Sequence, residues 1–145
     1  MNHLQRQGQM SPWDLAGESA FVERTDLCSR DSFEELPNHQ DVCEHVLGGL
    51  SFALADTMSL EGFTTGFGHP IWKESHQAEE VTATGVRRAL NAGATLLGKT
   101  VVGEFSYSLK SENPHYPMLP NPCPGFQDRS IGGSCSGGAL AVATR

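Results

Sequence analysis

Two short apolar runs bounded by glycine predict buried strands in this chain. Two glycines precede the run Leu-Ser-Phe-Ala-Leu-Ala at residues 50–55, and Asp56 ends it. A second run, at residues 94–97, follows Gly93. Short apolar runs bounded by turn residues are typical of strands buried in a sheet. We therefore predict strands at residues 50–55 and 94–97.

The segment between these runs predicts an amphipathic helix. Its apolar residues recur with helical spacing at Val81, Val86, Ala89 and Leu90. Gly93 stands where it would cap the end of a helix. We predict a helix over residues 78–90 and a glycine-rich loop over residues 61–70. The order strand, long crossover, helix, strand predicts an α/β fold, because such a crossover returns a parallel strand to the same sheet.

The remaining segments predict less regular structure. A short helix is expected at residues 102–107, whereas the five prolines of residues 113–125 exclude helix and strand there. Residues 1–47 are polar and aperiodic and are interpreted as a weakly structured N-terminal arm. Residues 48–145 are interpreted as the folded domain.

Length and charge narrow the function classes. The 145 residues suffice for one domain, and the formal net charge of -7 disfavours binding to nucleic acid, whose phosphates attract basic patches. The sequence contains no apolar stretch of the roughly 18 residues that a membrane span needs. Residues 1–10 lack the apolar segment of a secretory signal, which predicts an intracellular, cytoplasmic protein.

The cysteines do not indicate a metal or redox site. Cys28, Cys43, Cys123 and Cys135 show no CxxC spacing, so free thiols, buried or partly buried, are expected. Cys43 and His45, separated by one residue, could supply two metal ligands, but no second close pair follows. We assign no metal and no cofactor.

Residues 93–100 match the P-loop pattern G-x-x-x-x-G-K-T in every position. A P-loop follows a strand and precedes a helix, and its backbone amides wrap a phosphate. Here a predicted helix precedes the pattern, and its interior is apolar. We therefore predict a strand at this segment and no nucleotide binding.

A glycine-flanked serine turn at residues 132–138, Gly-Gly-Ser-Cys-Ser-Gly-Gly, precedes an apolar helix start at Ala139. Unpaired N–H groups and the positive end of a helix dipole suit a catalytic serine or an anion. The G-x-S-x-G pattern of a nucleophile elbow fails around both Ser134 and Ser136. Taken alone, the turn is better explained as a glycine-rich helix cap without chemistry.

The turn is one of several separated phrases that resemble the amidase signature family in the same order. The phrases are residues 93–102, Glu104-Phe105, Ser111-Glu112-Asn113, Asn121-Pro122, Asp128-Arg129 and residues 132–138. The resemblance is closest to plant amidases of the indole-acetamide hydrolase type and to the related chloroplast outer-envelope receptors. It covers residues 48–145 well, and it implies an incomplete amidase-signature fold, part of a mixed sheet with flanking helices.

The resemblance also implies the catalytic positions. Family members use a nucleophilic serine, a relay serine that follows a cis peptide bond, and a neutral lysine as the base; desolvation is what keeps such a lysine neutral. The relay serine falls on Ser134, whereas the lysine position is Ala55. The nucleophile is expected beyond Arg145. Lys99 belongs to a phrase that the family already carries and is interpreted as a surface or strand-end charge; His69 and His115 are interpreted as solvated loop residues.

These positions predict an N-terminal fragment of an amide hydrolase that is itself inactive. Intact relatives act on small amides. The alternative is a noncatalytic interaction module with a protein partner, located at the plastid outer-envelope surface as in the amidase-like receptors. A truncated gene product is a third possibility that the sequence leaves open.

Overall fold

Three strands form a mixed sheet in the computed structural model, which describes residues 19–27 and 46–144. The strands are β1 (Phe21–Leu27), β2 (Ser51–Ala55) and β3 (Thr95–Thr100). The sheet order is β1-β3-β2, with β3 antiparallel to β1 and parallel to β2. The predicted α/β class and the predicted strands at 50–55 and 94–97 are confirmed, the second extending to Thr100.

The strand β1 lies inside the segment that the sequence analysis interpreted as a weakly structured arm. Its pairing with β3 joins Phe21 to Thr100 and Leu27 to Leu96, with a register shift between them. Because its central residues are polar, the hydrophobic pattern does not predict this strand. The boundary at residue 47 stays a prediction, since residues 1–18 and 28–45 lie outside the described residues.

Three α-helices lie within residues 46–144: α1 (Pro70–Ser75), α2 (Thr84–Asn91) and α3 (Ser136–Ala143). The helix predicted at 78–90 is wrong in its first half, because α2 begins only at Thr84. The apolar Val81 is exposed in the preceding loop, so it takes no part in an amphipathic face. The helix α1 is not among the elements predicted from the sequence.

Irregular backbone connects β3 to α3. The helix predicted at 102–107 is a 3-10 turn, Glu104–Ser106, and no helix or strand occurs at residues 107–135. The proline-rich loop thus has the irregular course that its sequence predicts. It returns the chain to the sheet at the serine turn.

Two apolar clusters cover the two faces of the sheet. One cluster joins Leu140 and Ala141 of α3 to Val101, with Ala53 of β2 packed against it. The other joins Leu54 of β2 and Leu96 of β3 to Leu60, Val86 and Leu90. Because neighbouring residues Ala53 and Leu54 enter different clusters, β2 presents alternate side chains to opposite faces.

Candidate functional site

Ser134 lies in the turn that leads into α3, and the peptide bond between Gly133 and Ser134 is cis. The Gly103 N–H donates a hydrogen bond to the Ser134 carbonyl at 3.0 Å. The Gly137 N–H donates to the Val101 carbonyl, also at 3.0 Å. These two bonds fasten the serine turn to the chain just after the carboxyl end of β3.

The first turn of α3 approaches the backbone closely at Gly137. A Cβ there would lie 2.6 Å from the carbonyl oxygen of Ala20 and from the backbone N and O of Val101. Only glycine fits such an approach. In the same turn Ser136 is buried, whereas Cys135 is exposed.

Ala55 ends β2 at the sheet edge where β3 also ends. It pairs with Thr100, and a Cβ at Gly138 of α3 would lie 3.9 Å from the Thr100 hydroxyl oxygen. Ala55 follows Ala53 by two residues and therefore faces the same side of the sheet, the side that α3 covers. Ala55 and the first turn of α3 therefore both lie beside Thr100, at one edge of the sheet.

Lys99 is a buried cation one residue before the end of β3, so its interpretation as a surface charge is wrong, whereas its position near a strand end is as expected. Its side chain is 0% exposed, and Nζ lies 3.1 Å from Asp56 Oδ1. Nζ also donates to the carbonyl of Thr64 and to the hydroxyl of Thr65, each at 3.3 Å. A charge this deeply buried is tolerated because it has such partners.

Lys99 and Ala55 lie on opposite faces of the sheet. Lys99 pairs with Leu54, whose side chain packs in the cluster on the face away from α3. Asp56 shares that face because it follows Leu54 by two residues. The amine of Lys99 is therefore directed to Asp56 and Thr65, on the face opposite to the one that α3 covers.

Asp56 also interacts with groups outside the ion pair. Its Oδ1 also accepts a hydrogen bond from the Gly66 N–H at 3.2 Å, while its Oδ2 is buried without a hydrogen-bond partner among the described residues. The pKa of Tyr116 is raised above the usual value for a tyrosine, first by burial and then by the Asp56 carboxylate. Lys73 opposes this shift.

His69, His115 and Glu104 form a cluster on separate segments of the chain. The Nε2 atoms of His69 and His115 lie 3.5 Å and 3.1 Å from the same oxygen, Glu104 Oε1. The two imidazole centroids are 4.3 Å apart, and the side chains are only 22% and 24% exposed. Both histidines lie in loops and are partly exposed, as expected, but they are paired through Glu104 and not isolated. No local sequence signal could have joined positions so far apart.

The remaining candidates from the sequence are the P-loop pattern, the cysteines and His45. Residues 95–100 of the P-loop pattern form β3, so the predicted strand is confirmed there, and the absence of nucleotide binding stays a prediction. Cys123 and Cys135 are free and exposed, so the expected burial of these thiols is wrong. Cys28, Cys43 and His45 lie outside the described residues.

Comparison with known proteins finds a matching family profile and similar sequences. The Amidase family profile matches residues 20–145. The chain is 47% identical over 100 residues to the Arabidopsis thaliana protein "Outer envelope protein 64, chloroplastic", covering 69% of this chain and 17% of that protein. It is 41% identical over 126 residues to Amidase 1 of the same organism, covering 87% of this chain and 27% of that protein.

A solved structure gives the same fold. It comes from a vestigial protein complex connected with the origins of an s-triazine catabolic enzyme, and it matches with a TM-score of 0.67 at 30% identity. The match covers 94% of this chain and 32% of the solved chain. This chain therefore spans about a third or less of each relative described here. Among the described residues, no helix has the length and hydropathy to cross a membrane.

Proposed function

Because this chain belongs to the amidase family, we propose that it is a noncatalytic member, built on the family's scaffold without the base that amide hydrolysis requires. The observation that carries this proposal is Ala55, which stands at the lysine position of the resemblance and pairs with Thr100 at the end of β2. A methyl group cannot accept a proton, so a serine at this edge has no neighbouring lysine to activate it.

Lys99, the buried lysine of the sheet, does not replace the missing base. Lys99 is held by Asp56 and Thr65 on the face opposite to Ala55. Ser134 therefore retains the relay position of the resemblance without a base to relay from.

A turnover assay tests this proposal. The purified chain is incubated with small aryl and indolic amides, and released ammonia is measured, with Amidase 1 of Arabidopsis thaliana as the positive control. We expect no release from the chain, nor from Ala55→Lys, since the resemblance places the nucleophile outside these residues. A burst of ammonia from the unaltered chain would overturn the proposal, and Cys135→Ala and Ser136→Ala would then locate the replacement nucleophile.

A second candidate, an interaction module, is favoured by the similarity to the outer-envelope protein. Tyr107 and Leu109, 92% and 91% exposed, offer an apolar surface in the loop after β3. A scaffold of this kind would bind a protein partner at the plastid outer-envelope surface, and the cytoplasm is the other location. Fractionation of the native source separates the two, because an envelope-surface protein sediments with intact plastids and is removed by external protease. Intact-mass measurement on the same fractions gives the length of the native chain.

A further inference from the structure

The structure brings two imidazoles and one carboxylate to a common point outside the serine turn. We propose that His69, Glu104 and His115 form a binding site for a divalent transition-metal ion, with zinc as the preferred ion. The ligand atoms are the two Nε2 atoms and one Glu104 oxygen, and all three lie within 4.8 Å of one another.

The spacing of these atoms suits zinc. Zinc holds nitrogen and oxygen ligands at about 2.0 to 2.2 Å in a tetrahedron, which places neighbouring ligand atoms about 3.3 to 3.5 Å apart. The Nε2 atoms of His69 and His115 are already 3.5 Å and 3.1 Å from Glu104 Oε1. Because the three side chains are partly exposed, the fourth position is open to water or to another ligand. An imidazole-rich donor set favours zinc over magnesium or calcium, which prefer oxygen ligands.

Asn113 holds the three ligand segments together. Its Nδ2 donates to the carbonyl of Gly68 at 2.7 Å and to the carbonyl of Val102 at 3.1 Å. Its Oδ1 accepts from the backbone N–H of His115 at 2.9 Å. One amide side chain therefore links the residue before His69, the end of the sheet that leads to Glu104, and His115 itself. A preorganised set of ligands loses less conformational entropy when it binds a metal.

The backbone beneath the cluster is held in uncommon conformations. Phe67 and Phe105 have positive φ angles of 51° and 46°, and the Phe105 N–H donates to the Phe67 carbonyl at 2.8 Å. Gly68, with φ of 70°, has no room for a Cβ, which would lie 2.7 Å from the Val102 carbonyl. Such conformations are unfavourable for residues with side chains, and they concentrate at ligand sites, where the surrounding structure maintains them.

Metal binding at His69 has a structural consequence that can be observed. His69 Nδ1 accepts a hydrogen bond from the Trp72 N–H at 3.2 Å, and Nε2 faces Glu104 Oε1. A metal on Nε2 leaves the ring proton on Nδ1. Nδ1 then no longer accepts from Trp72, and the first turn of α1 loses this cap.

The first experiment is a zinc titration of the full chain by competition with a chelating dye. His69→Asn removes the imidazole and keeps a side chain that caps helices well. Glu104→Gln and His115→Gln remove the other ligands, and His76→Gln is the matched control, since His76 stacks on Trp72 outside the cluster. We expect one zinc ion to bind the unaltered chain and His76→Gln equally. We expect each ligand variant to bind at least about 10-fold more weakly.

The second readout is the backbone amide resonance of Trp72. Zinc should shift this resonance in the unaltered chain and in His76→Gln, but not in His69→Asn. Excess magnesium should change neither the resonance nor the zinc affinity. The proposal is overturned if micromolar zinc does not bind, if His69→Asn and His115→Gln keep the original affinity, or if His76→Gln weakens binding as much as they do.

Discussion

At the scale of single residues, the pair of Lys99 and Asp56 is the most deeply buried charge pair among the described residues. The two side chains are 0% and 1% exposed, whereas the pair of Lys73 and Glu23 is about one third exposed. Solvent screens an exposed pair strongly, and a buried pair hardly at all. The two lysines therefore allow a direct comparison of one chemical group in two environments.

Lys99→Met should destabilise the sheet far more than Lys73→Met does. Removing Lys99 leaves Asp56 buried without its counter-charge, a change that costs about 3 to 5 kcal/mol. Loss of the exposed pair costs at most about 1 kcal/mol. Hydrogen exchange at the amides of β2 and β3 measures the loss of stability in each variant. Exchange in Lys99→Met should be more than about 100-fold faster than in the unaltered chain. Equal exchange rates in the two variants would show that the buried pair contributes nothing.

Tyr116 should ionise above the usual range of tyrosine. Burial and the Asp56 carboxylate raise its pKa in the folded chain, so the stability it contributes is complete below about pH 10 and is lost as the pH rises through the raised value. The chain has 2 tyrosines, and the other, Tyr107, is exposed. Phenolate absorbance of Tyr107→Phe therefore reports Tyr116 alone. Ionisation at or below about pH 10 would contradict the expected direction.

At the scale of elements, the sequence predicted what local patterns encode. The strands β2 and β3 were predictable because glycines bound their apolar runs, and the irregular course of residues 113–125 follows from its prolines. The strand β1 was not predictable, because its polar residues become a strand only by pairing with β3. The helix α1 was missed although proline at its first position is a local start signal, because Pro70 was assigned to the glycine-rich loop.

The candidate sites divide in the same way. Ser134 and Ala55 were placed through a family resemblance that runs along the sequence. The burial of Lys99 and the cluster of His69, Glu104 and His115 depend on contacts between distant segments. Distant contacts leave no local pattern, so only the folded chain shows them.

Two glycines test whether close packing or backbone preference decides the stability of these elements. Gly85 lies in α2 with no atom within 4 Å of a built Cβ, so Gly85→Ala should stabilise the helix by up to about 1 kcal/mol. At Gly66 a Cβ would lie 2.5 Å from Asp56 Oδ2, which is buried. Gly66→Ala should therefore destabilise the loop around the ion pair. Hydrogen exchange in α2 should slow in the first variant, and exchange around Asp56 should accelerate in the second; the reverse order would contradict both expectations.

At the scale of the whole molecule, the described residues form a sheet of only three strands. Only β3 is paired on both sides, and β1 and β2 each have one edge without a strand among the described residues. Leu50, beside the edge of β2, is 58% exposed. Unpaired edges with apolar neighbours are sites where chains associate.

We therefore expect the purified 145-residue chain to associate or to require a partner, and not to behave as a stable monomer. Light scattering after size-exclusion chromatography measures the association, and calorimetry measures the unfolding transition. Leu50→Lys should reduce association, because a lysine at a sheet edge disfavours further strand pairing. Val81→Lys is the matched control, since Val81 is 61% exposed in the loop before α2 and belongs to no strand. A monodisperse monomer with one sharp transition would be the behaviour of a complete small domain, and it would show that the three-stranded sheet is sufficient by itself.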